Sequence, residues 1–68
     1  MGIKYVRKAV WGLLKLLMDT EVGKCSVETK KTRSGRDVFI YMYRLEHAEV
    51  RLYHYKDGRY GIEVVETQ

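Results

Sequence analysis

The chain of 68 residues is 46% hydrophobic and 32% charged, with no proline and one cysteine. This length holds a single small domain over residues 1–68, excludes an internal disulfide and, with only two histidines, leaves too few clustered ligands for a structural zinc site. The net charge of +4 is uneven: residues 1–18 and 24–36 each carry +4, whereas residues 37–68 sum to −2.

A domain this small has a thin stability margin. Without a disulfide or a metal, the remaining support is self-association or a partner.

The basic N-terminus followed by Ala9-Val-Trp-Gly-Leu-Leu-Lys-Leu-Leu-Met18 is not a secretion signal, because Lys15 interrupts the apolar run and no small-x-small cleavage site follows. The run is too short to span a bilayer. Myristoylation at Gly2 requires Ser or Thr at position 6, where Val6 stands. The expectation is an unprocessed cytoplasmic chain without stable membrane insertion, in keeping with an unpaired Cys25. Residues 3–18 predict a helix. Ile3, Val6, Val10, Leu13, Leu14 and Leu17 recur at helical spacing and are expected to face the core, with Lys4, Lys8 and Lys15 opposite. The apolar arc is wider than one sheet requires, and Trp11 and Met18 are left beside the lysines. Asp19-Thr20 and Gly23 mark the end of the helix.

From Glu21 onward the pattern turns to period two with β-branched and aromatic residues, which predicts four strands at roughly 22–31, 36–45, 48–55 and 59–66. Thr32-Arg-Ser-Gly35 supplies the first turn and Lys56-Asp-Gly58 the last. In the last hairpin, a three-residue loop with Gly58 in the left-handed position pairs Tyr55 with Arg59. That register sets Leu52 against Ile62, Val50 against Val64, Arg51 against Glu63 and Tyr53 over Gly61; a two-residue loop would set Leu52 against Glu63 instead. The expected architecture is α+β, an N-terminal helix packed on one face of a four-stranded antiparallel β-meander, in the order α-β-β-β-β. The helix side is expected to carry Cys25, Val27, Val38, Ile40, Met42, Val50, Leu52, Ile62 and Val64, with His54 inward beside Tyr60. His47 falls in the turn at 45–48. The opposite face, left uncovered, is expected to project Phe39, Tyr41, Tyr43, Tyr53 and Tyr55.

Catalysis finds no support: there is no Ser-His-Asp set, paired carboxylate cleft, glycine-rich phosphate loop or metal-ligand spacing. Cys25 reads as a small core hydrophobe. No enzyme activity, cofactor or metal is expected. The aromatic face points to recognition, with Phe39, Tyr41, Tyr43, Arg51, Tyr53 and Tyr55 as the candidate protein-binding residues. Its charged neighbours, Lys24, Lys30, Arg51 and Arg59 against Glu28, Asp37, Glu49 and Glu63, cancel. That balance favours another protein as the partner over nucleic acid, whose phosphates need a positive field. The leading expectation is a non-catalytic protein-binding module, a small inhibitor or adaptor of the kind phages and mobile elements encode, occluding its partner through this face. The first alternative is a single-stranded nucleic-acid-binding protein. In it Lys30, Lys31, Arg33 and Arg36 grip phosphates and the tyrosines stack bases. The second is a homodimer through the open sheet face.

Overall fold

The chain opens on a short strand, β1 (Lys4–Val6), and enters the helix α1 (Lys8–Glu21) only after it; β2 (Ser26–Lys31), β3 (Asp37–Arg44), β4 (Ala48–Tyr55) and β5 (Tyr60–Glu66) follow. The computed structural model describes residues 2–67. The fold class is α+β, as the sequence predicts, but the antiparallel sheet has five strands rather than four, in the order β1-β5-β4-β3-β2. No helix among the described residues is long and apolar enough to cross a membrane.

Residues 3–6 depart from the expected helix for a reason visible in β5. Without β1, the outer side of β5 would carry unpaired amides and carbonyls. Lys4 pairs with Ile62 and Val6 with Tyr60 along that edge. The alternation sends Ile3 toward one face of the sheet and Val6 toward the other. Gly61 makes room for this, since a Cβ at that position would lie 2.6 Å from Ile3 Cγ2. Arg7 is extended, and its carbonyl accepts the Trp11 amide at 2.9 Å to begin α1. At the other end the Val22 amide donates to the Met18 carbonyl at 2.9 Å, and Gly23, at φ +79°, turns the chain away.

The bulged hairpin between β4 and β5 is present. The Tyr55 amide donates to the Arg59 carbonyl at 3.0 Å, the Gly58 amide to the Tyr55 carbonyl at 3.1 Å, and Gly58 sits at φ +98°. The pairs Leu52–Ile62, Val50–Val64, Arg51–Glu63 and Tyr53–Gly61 all form. The β2–β3 hairpin repeats this loop, with Thr32 paired to Arg36 and Gly35 at φ +81°. Because β2 begins at Ser26 rather than 22, Cys25 is exposed in the preceding link instead of facing the core.

Two expectations about faces are overturned. The first concerns β3. The Leu45 amide donates to the Ala48 carbonyl at 2.8 Å, closing a two-residue turn of Glu46 and His47. Such a turn pairs odd-numbered residues with even-numbered ones, so Tyr43 faces Val50, Tyr41 faces Leu52 and Phe39 faces His54. Phe39, Tyr41 and Tyr43 therefore lie on the helix side. Val38, Ile40 and Met42 lie on the other, against Tyr55, Tyr53 and Arg51.

The second concerns the rotation of α1. Trp11, Leu14 and Met18 face the sheet, while Val10, Leu13 and Leu17 are exposed: of the four α1 residues expected to face the core Leu14 alone does, and Trp11 and Met18 take the place of the other three. The aromatic row on the sheet explains this. Trp11 packs at 5.2–5.8 Å between centroids against Tyr60, His54 and Tyr41, and His54 stacks on Tyr60 at 4.7 Å. Burying one large ring among others outweighs burying the smaller leucines. The indole N–H finds no acceptor among the described residues, so the ring is held by packing alone.

The sheet thus has an apolar layer on each side. Trp11, Tyr43 and Leu52 form the one under α1. Val38, Ile40, Tyr53 and Tyr55, with Ile3 and Met42 against them, form the other. Gly61→Ala is expected to force Ile3 outward and weaken the β1–β5 pairing, lowering stability in urea denaturation by about 1–3 kcal/mol. An unchanged midpoint would show that β1 contributes nothing to the fold.

Candidate functional site

The expected protein-binding residues do not form one surface. Tyr43 is fully buried beneath α1. Its hydroxyl donates to Asp19 Oδ1 at 2.5 Å, and Lys15 Nζ approaches Asp19 Oδ2 at 2.9 Å. Tyr41 lies half-buried under Trp11 and the Lys15 ammonium, which sits 4.7 Å from its ring centroid. Phe39 is half-buried near His54.

On the opposite face Tyr53 and Tyr55 stack at 6.1 Å and are both buried. The Tyr53 hydroxyl donates to Glu63 Oε1 at 2.8 Å, and Arg51 Nε donates to Glu49 Oε2 at 2.6 Å. Arg59 covers Tyr55 at 4.6 Å and reaches Tyr5 at 5.4 Å. The rings expected to project from an open face are absorbed into packing on both sides. Tyr5, about half exposed, is the tyrosine most open to solvent among the described residues.

The basic residues behave differently. Lys30, Lys31, Arg33 and Arg36 all stand exposed around the β2–β3 tip. In an antiparallel meander alternate turns share an end, so the β4–β5 tip lies beside this one. The Lys56 amide donates to the Asp37 carbonyl at 3.0 Å, and Arg36 approaches Asp57 at 3.8 Å. Because Val6 pairs with Tyr60, Arg7 and the start of α1 reach the same end. From the row of Lys30, Val38, Tyr55, Arg59 and Arg7 outward, eight cations (Arg7, Lys8, Lys30, Lys31, Arg33, Arg36, Lys56, Arg59) stand against Asp37 and Asp57, a net +6; all other residues sum to −2. Sequence reasoning missed Arg7, Lys8, Lys56 and Arg59 as members of this group. The meander parity pointed to the second hairpin tip, but the first two residues need β1, which the helical spacing concealed.

Within this end is a shallow depression lined by Tyr5, Arg7, Lys8, Gly58, Arg59 and Tyr60. Arg7 supplies no side-chain cap and the first turn of α1 holds no acid. The amides of Lys8, Ala9 and Val10 thus lack intrahelical partners, and the positive end of the helix dipole adds to the cations around it. Arg59 Nε and the Arg59 amide hold Asp57 at 2.9 and 3.1 Å, which fixes the side chain over Tyr5. Among the described residues, no group of three or more His, Cys, Asp or Glu side chains is placed to hold a metal.

No family model matches the chain, and no curated protein or solved structure matches it either.

The clamp that positions α1 has a pH signature. The Tyr43 hydroxyl, and then the Lys15 ammonium, hold the Asp19 carboxyl below its ordinary value. That contribution is complete above the ordinary aspartate pKa of about 4 and disappears as pH falls through the lowered one. Burial, and then Asp19, push the Tyr43 phenol up; burial also raises Tyr53, and raises Tyr55 to about 12. Their contribution is complete below the ordinary tyrosine pKa of about 10 and is lost above it. Thermal midpoints are expected to fall in acid below about pH 4 and again in alkali, where tyrosinate absorbance should rise together with unfolding. Tyr43→Phe should shallow the acid limb. An acid limb equal to that of the native chain would remove the clamp.

Proposed function

We propose that the protein is a non-catalytic nucleic-acid-binding module that holds the sugar–phosphate backbone of a single strand at its basic end. The observation that carries this reading is the convergence of three separated segments, with a net +6, on one end of the sheet. The neutral aromatic face that favoured a protein partner is lost as an argument, because its rings are packed. Phosphates would be met by Arg7, Lys8, Lys30, Lys31, Arg33 and Arg36. The open amides at the start of α1 suit an anion as well. Tyr5, exposed beside Arg59, offers a ring on which one base can stack. With little else to read base edges, the expected recognition is of backbone and single-strandedness rather than of sequence.

Fluorescence anisotropy with a labelled single-stranded oligonucleotide tests this. Each phosphate neutralised contributes about 0.7 to the slope of log affinity against log salt, so four contacts give a slope near −3. The double variant Arg7→Ala/Lys8→Ala should weaken binding and reduce the slope by about 1.4. No binding at low salt sinks the reading.

A second reading, a protein interface, is favoured by a different observation. α1 exposes Val10, Leu13, Leu16 and Leu17 on the side away from the sheet, and such a patch marks an interaction surface. A partner held there should be captured from the native host by the wild-type bait in the presence of nuclease, and lost with Leu16→Glu. If Leu16→Glu retains every captured protein, the face is not an interface for them.

A further inference from the structure

Eight large apolar side chains of the described residues are conspicuously exposed, and four of them lie on α1. Leu13 and Leu16 are 67% and 64% exposed, flanked by Val10 and Leu17. Ala9, Leu13, Leu16 and Thr20 follow at i, i+4, i+7 and i+11, which sets them on the side opposite Trp11, Leu14 and Met18. This stripe is symmetric about the middle of α1. Reversing the helix direction places Ala9 on Thr20 and Leu13 on Leu16. A small–large–large–small seam with that symmetry suits a two-fold, self-complementary pairing of antiparallel helices.

The charges give an independent reason for the same direction. α1 is charged against its own dipole at both ends: Arg7 and Lys8 stand at the N-terminus with no acid in the first turn, and Asp19 and Glu21 stand at the C-terminus with no base in the last. Each arrangement is unfavourable for a lone helix. An antiparallel neighbour corrects both, laying the Lys8 end of one helix along the Asp19–Glu21 end of the other. A parallel neighbour would place like charges together. An anionic bilayer would meet the acidic end along with the basic one, and is disfavoured for that reason.

We infer that the occupant of this face is a second copy of the chain, packed with its α1 antiparallel across the seam formed by Leu13 and Leu16. This rests on the second reading above, that the outer face of α1 is a protein interface, and names the partner. A seam limited to one helix pair buries on the order of 1,000 Å², at the low end for specific interfaces, so the association is reversible on dilution.

Sedimentation equilibrium on the full chain tests it. The wild-type mass should rise with concentration from 8.1 kDa toward twice that value. Leu16→Glu should remain monomeric, with circular dichroism showing its helix intact. An equimolar mixture of Ala9→Cys and Thr20→Cys chains, each also carrying Cys25→Ser, should form a mixed disulfide on oxidation, because these two positions face each other across an antiparallel seam, whereas neither variant alone should cross-link. A wild-type chain that stays monomeric throughout, or that is monomeric and binds anionic vesicles, overturns the inference. So does a dimeric chain in which Ala9→Cys or Thr20→Cys cross-links with itself and the mixture yields no mixed disulfide, which would exclude the antiparallel direction. A monomeric result leaves the protein-interface reading to the host capture with Leu16→Glu, which fails or succeeds separately.

Discussion

The hydrogen bond from the Leu45 amide to the Ala48 carbonyl closes a two-residue turn, and the pairing it imposes decides which side chains the helix meets. With only Glu46 and His47 between the strands, odd-numbered residues of β3 must face even-numbered residues of β4. Each face of the sheet then receives the tyrosines of one of these strands beside the aliphatic side chains of the other. On the helix side Phe39, Tyr41 and Tyr43 adjoin His54, Leu52 and Val50, and Tyr60 from β5 extends the aromatic bed. Trp11 settles on that bed, Asp19 is drawn to the Tyr43 hydroxyl, and the rotation of α1 is fixed by these two contacts. Leu13, Leu16 and Leu17 are consequently turned outward, while Leu14 stays beside Trp11 on the sheet.

The same meander that distributes the aromatics also sorts the charge. Alternate turns of an antiparallel sheet lie at one end, so the two glycine-bulged hairpin tips are neighbours, tied by the Lys56–Asp37 and Arg36–Asp57 contacts. β1 delivers Arg7 and the positive end of α1 to the same place. Acidic side chains gather toward the other end, with Asp19, Glu21, Glu46, Glu49 and Glu66 among them. The molecule is therefore polarised along its strands, which a net charge of +4 does not convey. In a two-fold pairing through antiparallel helices the basic ends point to opposite poles, so a pair would present two separated basic ends.

A chain of this size without a disulfide meets its stability requirement by layering both faces of a thin sheet. Under α1 the layer is centred on the fully buried Tyr43 and Leu52. On the other face no helix is present among the described residues, and long side chains take its place: Arg59 lies over Tyr55, and Arg51 is held between Glu49 and Glu63 beside the Tyr53 hydroxyl. Such snorkelling side chains cover apolar area while keeping their charges in water. This makes the second face a core sealed by polar side chains rather than a bare platform.

The sequence by itself determined whatever depends on local chemistry. The α+β class, the positions of the turns and the register of the last hairpin were all legible; Gly23 marked where the chain leaves α1, although the helix runs past the expected end at 18, through Asp19 and Thr20 to Glu21. Gly58 must adopt a left-handed conformation there, and one register alone pairs apolar with apolar across β4 and β5. The basic loop at Lys30–Arg36 was legible too, because exposed cations keep their character wherever the chain goes. Three features needed the tertiary structure. β1 exists because β5 has an open edge and Gly61 leaves space for Ile3. The faces of β3 follow from the parity of a two-residue turn, whereas the hydrophobic alternation of Val38, Ile40 and Met42 fits a core layer on either side equally well. The outward leucines follow from competition between two apolar faces of one helix, decided by the aromatic bed beneath Trp11. Periodicity identifies that a helix has apolar faces, and only the surface it packs against selects which of them is buried.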